Sequence, residues 1–176
     1  MSNSKTKFMR ISEVTPKIIQ SYMLGEIGAK ASDYIYNNLI DLEKIYPNFD
    51  KWFHDKVVRN IENKKNKNRE IIFSITGGNK NKYEISGIAI LKNDQNEKKI
   101  CTFRVHENYR NMGIGTKLFE ESFDYLGTNT PIITISEKNL DQFEYHIDKY
   151  NFLLVQELNG YYSNGVTEYV FNGELS

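Results

Sequence analysis

One stretch constrains this chain more than any other: Cys101 to Gly127, CTFRVHENYRNMGIGTKLFEESFDYLG. Ile100 to Val105 alternates with the period of two expected of a strand. Beyond it, Ile114, Leu118, Phe119, Phe123 and Leu126 recur at three- and four-residue intervals, the stripe of an amphipathic helix. Gly127 stands where a helix takes its left-handed terminal glycine. The unit reads as strand, glycine-containing loop, helix. A loop of this kind presents free backbone N–H groups at the positive end of a helix, which suits a phosphate. Gly113 and Gly115 allow close approach to the main chain, and Arg110 can add a charge-assisted bond to a phosphate oxygen.

Three phosphate-binding patterns compete for the loop. A P-loop needs four residues between its glycines and a Gly-Lys-Ser/Thr ending, and Gly113-Ile114-Gly115-Thr116-Lys117 has neither. A dinucleotide fingerprint would run Gly-x-Gly-x-x-Gly straight from the strand. Here Leu118 holds its third position and His106 to Met112 intervene, although Glu137 lies where the fingerprint wants its ribose acid. The third pattern fits best. Arg110-x-x-Gly113-x-Gly115, after a strand ending Phe103-Arg104-Val105 and opening a helix, resembles the acetyl-CoA motif of the GNAT superfamily of N-acetyltransferases.

The rest of the chain supplies the frame. Lys7 to Glu13 reads as a strand, and Thr15-Pro16 as a capped helix start that Gly25 and Gly28 interrupt. From Ala31, the residues Ile35, Leu39, Leu42 and Ile45 keep helical spacing as far as Pro47. Phe49, Trp52, Phe53, Val57 and Ile61 then share the face of a further helix, with Asp50 in its first turn. Glu62 to Glu70 is a polar charge run, read as a solvated connection or a basic contact site. Ile71, Phe73 and Ile75 alternate, Gly77-Gly78-Asn79 turns, and Lys82 to Lys92 returns with Ile85, Gly87, Ala89 and Leu91 on one face. Asn93 to Asn96 leads into the strand of the organising stretch, completing an antiparallel meander. After Gly127 come a buried strand at Ile132 to Ile135 and a helix marked by Leu140, Phe143, Ile147 and Tyr150, with Asn139 as cap. A terminal hairpin turns at Ser163-Asn164-Gly165.

Helices covering a central sheet make this a mixed α/β (α+β) chain, a single domain over 1–176. The sheet is expected to be mostly antiparallel with about seven strands, flanked by about four helices. That order also matches the GNAT fold. Ser86 to Ile90 resembles the family's third strand, and Lys149-Tyr150-Asn151-Phe152 its Tyr-Gly-Phe helix ending, with Asn151 in place of glycine.

Composition narrows the partners. Lysine plus arginine number 23, as do the acids, so no overall field points to nucleic acid or an anionic membrane. The lone Cys101 cannot form an internal disulfide, no apolar run is long enough to span a bilayer, and MSNSKTKFMR lacks a signal peptide's apolar core. A cytoplasmic location is expected.

The GNAT resemblance implies acetyl-CoA as cosubstrate and no metal. The main chain of Phe103 and Val105 would meet the pantetheine arm. Backbone N–H groups from Arg110, Asn111, Met112, Gly113, Ile114, Gly115 and Thr116 would hold the diphosphate, and Asn139 lies beside that site. Acetyl transfer to a primary amine needs a base for the ammonium proton and an acid for the leaving thiolate. Where many members place a glutamate base on the fourth strand, this chain has Lys99. Glu97 and Glu137 are the candidates for base, each also readable as a surface residue. Tyr150 is the candidate acid or a continuation of the apolar stripe, whereas Ile147 stands at the family's tyrosine position and His146 reads as surface. Cys101 shares the alternation of Phe103 and Val105 and reads as a small buried side chain. Tyr34, Tyr36, Tyr46, Trp52, Phe53 and His54 form a core or an aromatic acceptor wall. The acceptor is a small molecule or a peptide. Two alternatives remain open, a non-catalytic acyl-CoA-binding module and an enzyme acting on aminoacyl-tRNA; nucleic acid is the less favoured partner, and a homodimer is open.

Overall fold

A computed structural model describes residues 5–22, 29–63, 65, 67–77 and 82–175. Its seven strands form one sheet: β1 (Thr6–Arg10), β2 (Arg69–Gly77), β3 (Tyr83–Asn93), β4 (Lys98–Val105), β5 (Ile132–Ser136), β6 (Leu154–Asn159) and β7 (Thr167–Phe171), in the order β1-β2-β3-β4-β5-β7-β6. Every neighbouring pair is antiparallel except β4 with β5. The expected sheet, strand count and meander are all present.

Helices cover both faces. On one side lie α1 (Pro16–Tyr22), α2 (Ala31–Asn37) and a continuous run of α3 (Phe49–Trp52), a π-helical stretch (Phe53–Val58) and α4 (Arg59–Glu62). Ile35, Phe49, Phe53 and Val57 pack there against Ile71, Phe73, Ile75, Ile88 and Ile90. On the other side, α5 (Ile114–Leu126) and α6 (Leu140–Lys149) pack Leu118, Phe119, Leu126 and Phe143 against Ile72, Ala89, Leu91, Ile100 and Ile133. Because β2 is covered on both faces, Ile71 to Thr76 is buried throughout instead of alternating with solvent. Five helical runs are present against about four expected.

Three details depart from the sequence reading. The spacing from Ala31 to Ile45 breaks at Asn37, because the Asn38 side-chain amide donates to the Tyr34 carbonyl and Arg104 Nη1 takes the Asn38 carbonyl. Ile40–Lys44 continues as a 3-10 turn, with Ile45 exposed. In β3, Ser74 faces Gly87 while Ile75 faces Ile85, so Ser86 is an extra residue. That bulge puts Ile85 on the face of Ile88 and Ile90, opposite Ala89 and Leu91. In β4, Leu91 faces Ile100 and Ile90 faces Thr102, so Cys101 bulges out. Cys101 therefore packs towards the α1–α4 layer and does not share the face of Phe103. The interruption at Gly25 and Gly28, the tip of the Gly77-Gly78-Asn79 turn, and Lys64 and Asn66 of the polar run lie outside the described residues.

Caps set the two helices that matter for the site. Thr15 Oγ1 accepts from the Ile18 N–H at the start of α1, as the sequence suggests. Gly127 closes α5 at φ 67°, its N–H donating to Phe123 O at 2.8 Å. Asn151 holds φ 52° at the end of α6, the left-handed conformation that the missing glycine would have taken. Asn139 makes no capping bond; the chain enters α6 through a 3-10 turn, Glu137–Asn139, that already runs helically.

Candidate active site

The parallel pair β4–β5 is short. Lys99 faces Ile132 and Ile100 faces Ile133, and there the pairing stops. The Cys101 bulge sits at that point, adding twist just where β4 turns away from β5. Beyond it, His106 N–H donates to Ser86 O at 2.9 Å. By antiparallel alternation Thr102, Arg104 and His106 bond β3, which leaves the N–H and C=O of Phe103 and Val105 directed at the gap. Arg110 Nε reaches the Val105 carbonyl at 3.4 Å.

A cavity of about 1410 Å³ runs through this gap and opens on both faces of the sheet. On the α5–α6 face it is lined by Phe103, Val105, Arg110, Asn111, Gly113, Gly115, Thr116, Asn139, Phe143 and His146. On the other face it is lined by Tyr46, Trp52, Arg69, Lys99, Thr102, Arg104, Thr134, Ser136, Tyr162 and Glu168. Alternation assigns the sides: Ile133 and Ile135 pack into the α5–α6 core, so Thr134 and Ser136 point the opposite way.

The loop has the geometry of an anion cradle. Asn111 and Gly113 take φ 60° and 80°, turning the chain into α5. A Cβ at Gly113 would meet nothing within 4 Å, and Gly113 lines the cavity. Arg110 N–H is already bound to Glu107 O at 3.3 Å, so the N–H groups without a backbone acceptor among the described residues run from Asn111 to Thr116. Gly87 positions the whole unit. A Cβ there would stand 2.9 Å from Ser74 Oγ and 3.1 Å from Ile114 Cγ2, so glycine is what lets the first turn of α5 seat on β3. Ile114 is accordingly buried in the core, and Met112 is exposed outside the cavity.

The candidate catalytic residues scatter. Glu97 lines the cavity, but Lys92 Nζ holds its carboxylate at 3.1 Å. Glu137 is exposed and off the cavity, and its Oε1 accepts the Thr167 N–H at 3.0 Å. Tyr150 is off the cavity as well; its ring packs on Phe123, Phe119 and Phe152, its hydroxyl is buried without a partner among the described residues, and burial pushes its pKa up. Cys101 accepts from Arg69 Nη1 at 3.3 Å, and burial raises its thiol pKa. Of the aromatic set, Phe53 is core, and Tyr46 and Trp52 line the cavity.

His146 is not the surface residue that its sequence position suggests. It is half-buried, its ring centroid 4.8 Å from that of Phe119, with Nε2 3.1 Å from Thr116 Oγ1 and Nδ1 buried without a partner among the described residues. Burial, helped by the Lys149 charge, holds its pKa below the usual imidazole value. Glu168 was also missed in the sequence. It is 2% exposed, lies opposite Ser136 across β5–β7, and burial with the Glu137 charge pushes its carboxyl pKa up. A lone acid in a strand that otherwise reads as apolar, Val166 to Phe171, was the available signal.

The profile of the Acetyltransferase (GNAT) family matches residues 37–146, which takes in the α3–α4 run, the gap and the cradle. The chain belongs to the GNAT family of acetyltransferases. Solved structures repeat the architecture at low identity. A Desulfovibrio desulfuricans protein assigned to the GNAT family superposes with a TM-score of 0.63 at 11% identity, covering 98% of this chain and 100% of its own. The Escherichia coli ribosomal-protein-S18-alanine N-acetyltransferase gives 0.58 at 12%, covering 98% and 97%. Arabidopsis thaliana NAA60, solved in complex with acetyl-CoA, gives 0.58 at 15%, covering 97% and 100%. No curated protein matches by sequence. No helix among the described residues is long and apolar enough to cross a membrane.

Proposed function

We propose that this GNAT member transfers the acetyl group of acetyl-CoA to a primary amine of a small molecule or a peptide. One observation carries the reading: the cavity passes through the β4–β5 gap, with the anion cradle on one face and a separate polar–aromatic chamber on the other. Two substrates can thus enter from opposite faces and meet in the sheet, which is what direct transfer requires.

On this reading the diphosphate rests on the N–H groups of Asn111 to Thr116, with Arg110 alongside. The pantetheine arm pairs with the free main-chain groups of Phe103 and with the Val105 N–H, in the position a longer β5 would have filled, while Arg110 Nε holds the Val105 carbonyl. Asn139, at the entrance to α6, lines the same half. Met112 and Ile114 contribute through the main chain alone, since neither side chain lines the cavity. The acceptor occupies the chamber beside Tyr46, Trp52 and Tyr162.

Calorimetric titration with acetyl-CoA, with NAD as control, tests the cradle; thiol release over a panel of primary amines tests the transfer. Saturable binding of acetyl-CoA and amine-dependent thiol release are expected. Binding of NAD alone would overturn the reading.

A further inference from the structure

We infer that Glu168 is the group that receives the acceptor: its carboxylate binds the substrate's primary ammonium and removes the proton before acetyl transfer. The inference rests on the acetyltransferase reading and gives its acceptor half a residue and a chemistry.

Four observations converge. Glu168 is 2% exposed and lines the cavity, yet no hydrogen-bond donor or cation among the described residues satisfies its carboxylate. A buried acid without a partner is costly, and a site that keeps one is suited to a ligand that supplies the missing donor. Second, the register places it at the gap. Ser136 is its direct partner across β5–β7, and Thr134 is the diagonal neighbour on the same face, with a buried hydroxyl that has no partner among the described residues. An ammonium carries three N–H donors, enough for a carboxylate and a hydroxyl together. Third, Tyr46 and Tyr162 meet edge to face, ring centroids 5.4 Å apart, and line the same chamber. Such rings stabilise a cation and wall off water. Fourth, the two acids that the sequence puts forward are occupied: Glu97 is held by Lys92, and Glu137 by the β7 backbone.

The electrostatics agree. Burial, with Glu137 beyond it, raises the Glu168 carboxyl pKa, which brings the base closer to the amine it must deprotonate. Tyr46 and Tyr162 have raised pKa values from burial, with the Glu168 charge contributing to both, so they stay protonated as neutral neighbours. The Cys101 thiol adds to the rise at Tyr162, and Arg104, whose charge opposes the rise at Tyr46, is engaged by Asp41.

The step balances as follows. The bound ammonium gives one proton to the Glu168 carboxylate, and the freed nitrogen lone pair attacks the thioester carbonyl carbon. The tetrahedral adduct collapses with cleavage of the carbon–sulfur bond. The second amine proton passes to the departing thiolate, leaving the amide and free CoA thiol. Glu168 then returns its proton to solvent.

The test reads the carboxyl directly. Full-length protein saturated with CoA is followed by infrared difference spectroscopy against Glu168→Gln, with n-butylammonium chloride added and tetramethylammonium chloride as the N–H-free control. A Glu168 carboxylate band whose frequency shifts with n-butylammonium alone is expected. With any amine that the wild type acetylates, Glu168→Gln should lower kcat/KM by about 100-fold or more. Its acetyl-CoA affinity should change by less than about twofold. A carboxyl indifferent to n-butylammonium, or a Gln variant with wild-type turnover, overturns the inference. Failure of the wild type to bind acetyl-CoA is a different result: it overturns the acetyltransferase reading, and this inference with it.

Discussion

His146 Nε2 and Thr116 Oγ1 stand 3.1 Å apart and tie α6 to the first turn of α5 across the cofactor half of the cavity. The imidazole is held there neutral, because burial and Lys149 depress its pKa. The sign follows from linkage. A histidine harder to protonate when folded leaves stability intact above its ordinary value, 6.5, and removes it as pH falls below that value towards the folded pKa. His146→Phe keeps a ring on Phe119 and removes the titration, so its urea midpoint should fall less between neutral pH and mild acid than the wild type's. Thr116→Val should cost about 1 kcal/mol in the same assay by deleting the hydrogen bond.

Two glycines should separate folding from binding. At Gly113 a Cβ meets no protein atom, so Gly113→Ala should cost only about 1–2 kcal/mol of left-handed backbone strain. It should weaken acetyl-CoA by at least about tenfold, since one excluded contact is worth ~1.4 kcal/mol. At Gly87 the reverse is expected. A Cβ would press on Ser74 Oγ and Ile114 Cγ2, and Gly87→Ala should lose about 1–3 kcal/mol through overpacking. Thermal melts beside calorimetry distinguish the two.

These positions also show why the cradle was legible and the chemistry was not. The free N–H groups from Asn111 to Thr116, on which the proposed cradle rests, belong to the main chain of one continuous segment, so spacing and glycines carry the information. The sheet was legible for a similar reason, since its strands alternate or run apolar. Two bulges, at Ser86 and Cys101, reset the faces, and no residue pattern announces a single unpaired residue. His146 is recruited by Thr116, thirty residues away, and Glu168 by a cavity built from segments scattered along the chain. Such long-range partners leave no local period.

The Arg104–Asp41 pair pins the turn after α2 over β4, with bonds of 2.7 and 2.9 Å, while Arg104 also holds the Asn38 carbonyl. Arg104 lines the half of the cavity proposed for the acceptor, so on that reading loosening the pair should disturb the acceptor and spare the cofactor. Asp41→Ala is expected to raise the amine KM several-fold, with acetyl-CoA affinity unchanged. The Arg104 bond holds the Asp41 pKa below its ordinary 3.8, so this tether is present above that value and weakens as pH falls below it. Steady-state kinetics of the variant against the wild type checks the first point, and acid titration of the melting temperature the second.

Glu168 carries the opposite sign. Its pKa is raised above the ordinary 4.5, so the buried group favours the fold when protonated, and that contribution is lost as pH rises through the folded value. Glu168→Gln keeps the shape and never ionises. Its melting temperature should match the wild type in acid and exceed it increasingly as pH rises to neutrality, while acetyl transfer falls. A residue retained for packing would give the contrary result, because its replacement would destabilise at every pH. A gain in stability with a loss of turnover is the mark of a charge kept buried for its chemistry, as expected where a functional site holds an unfavourable group in place.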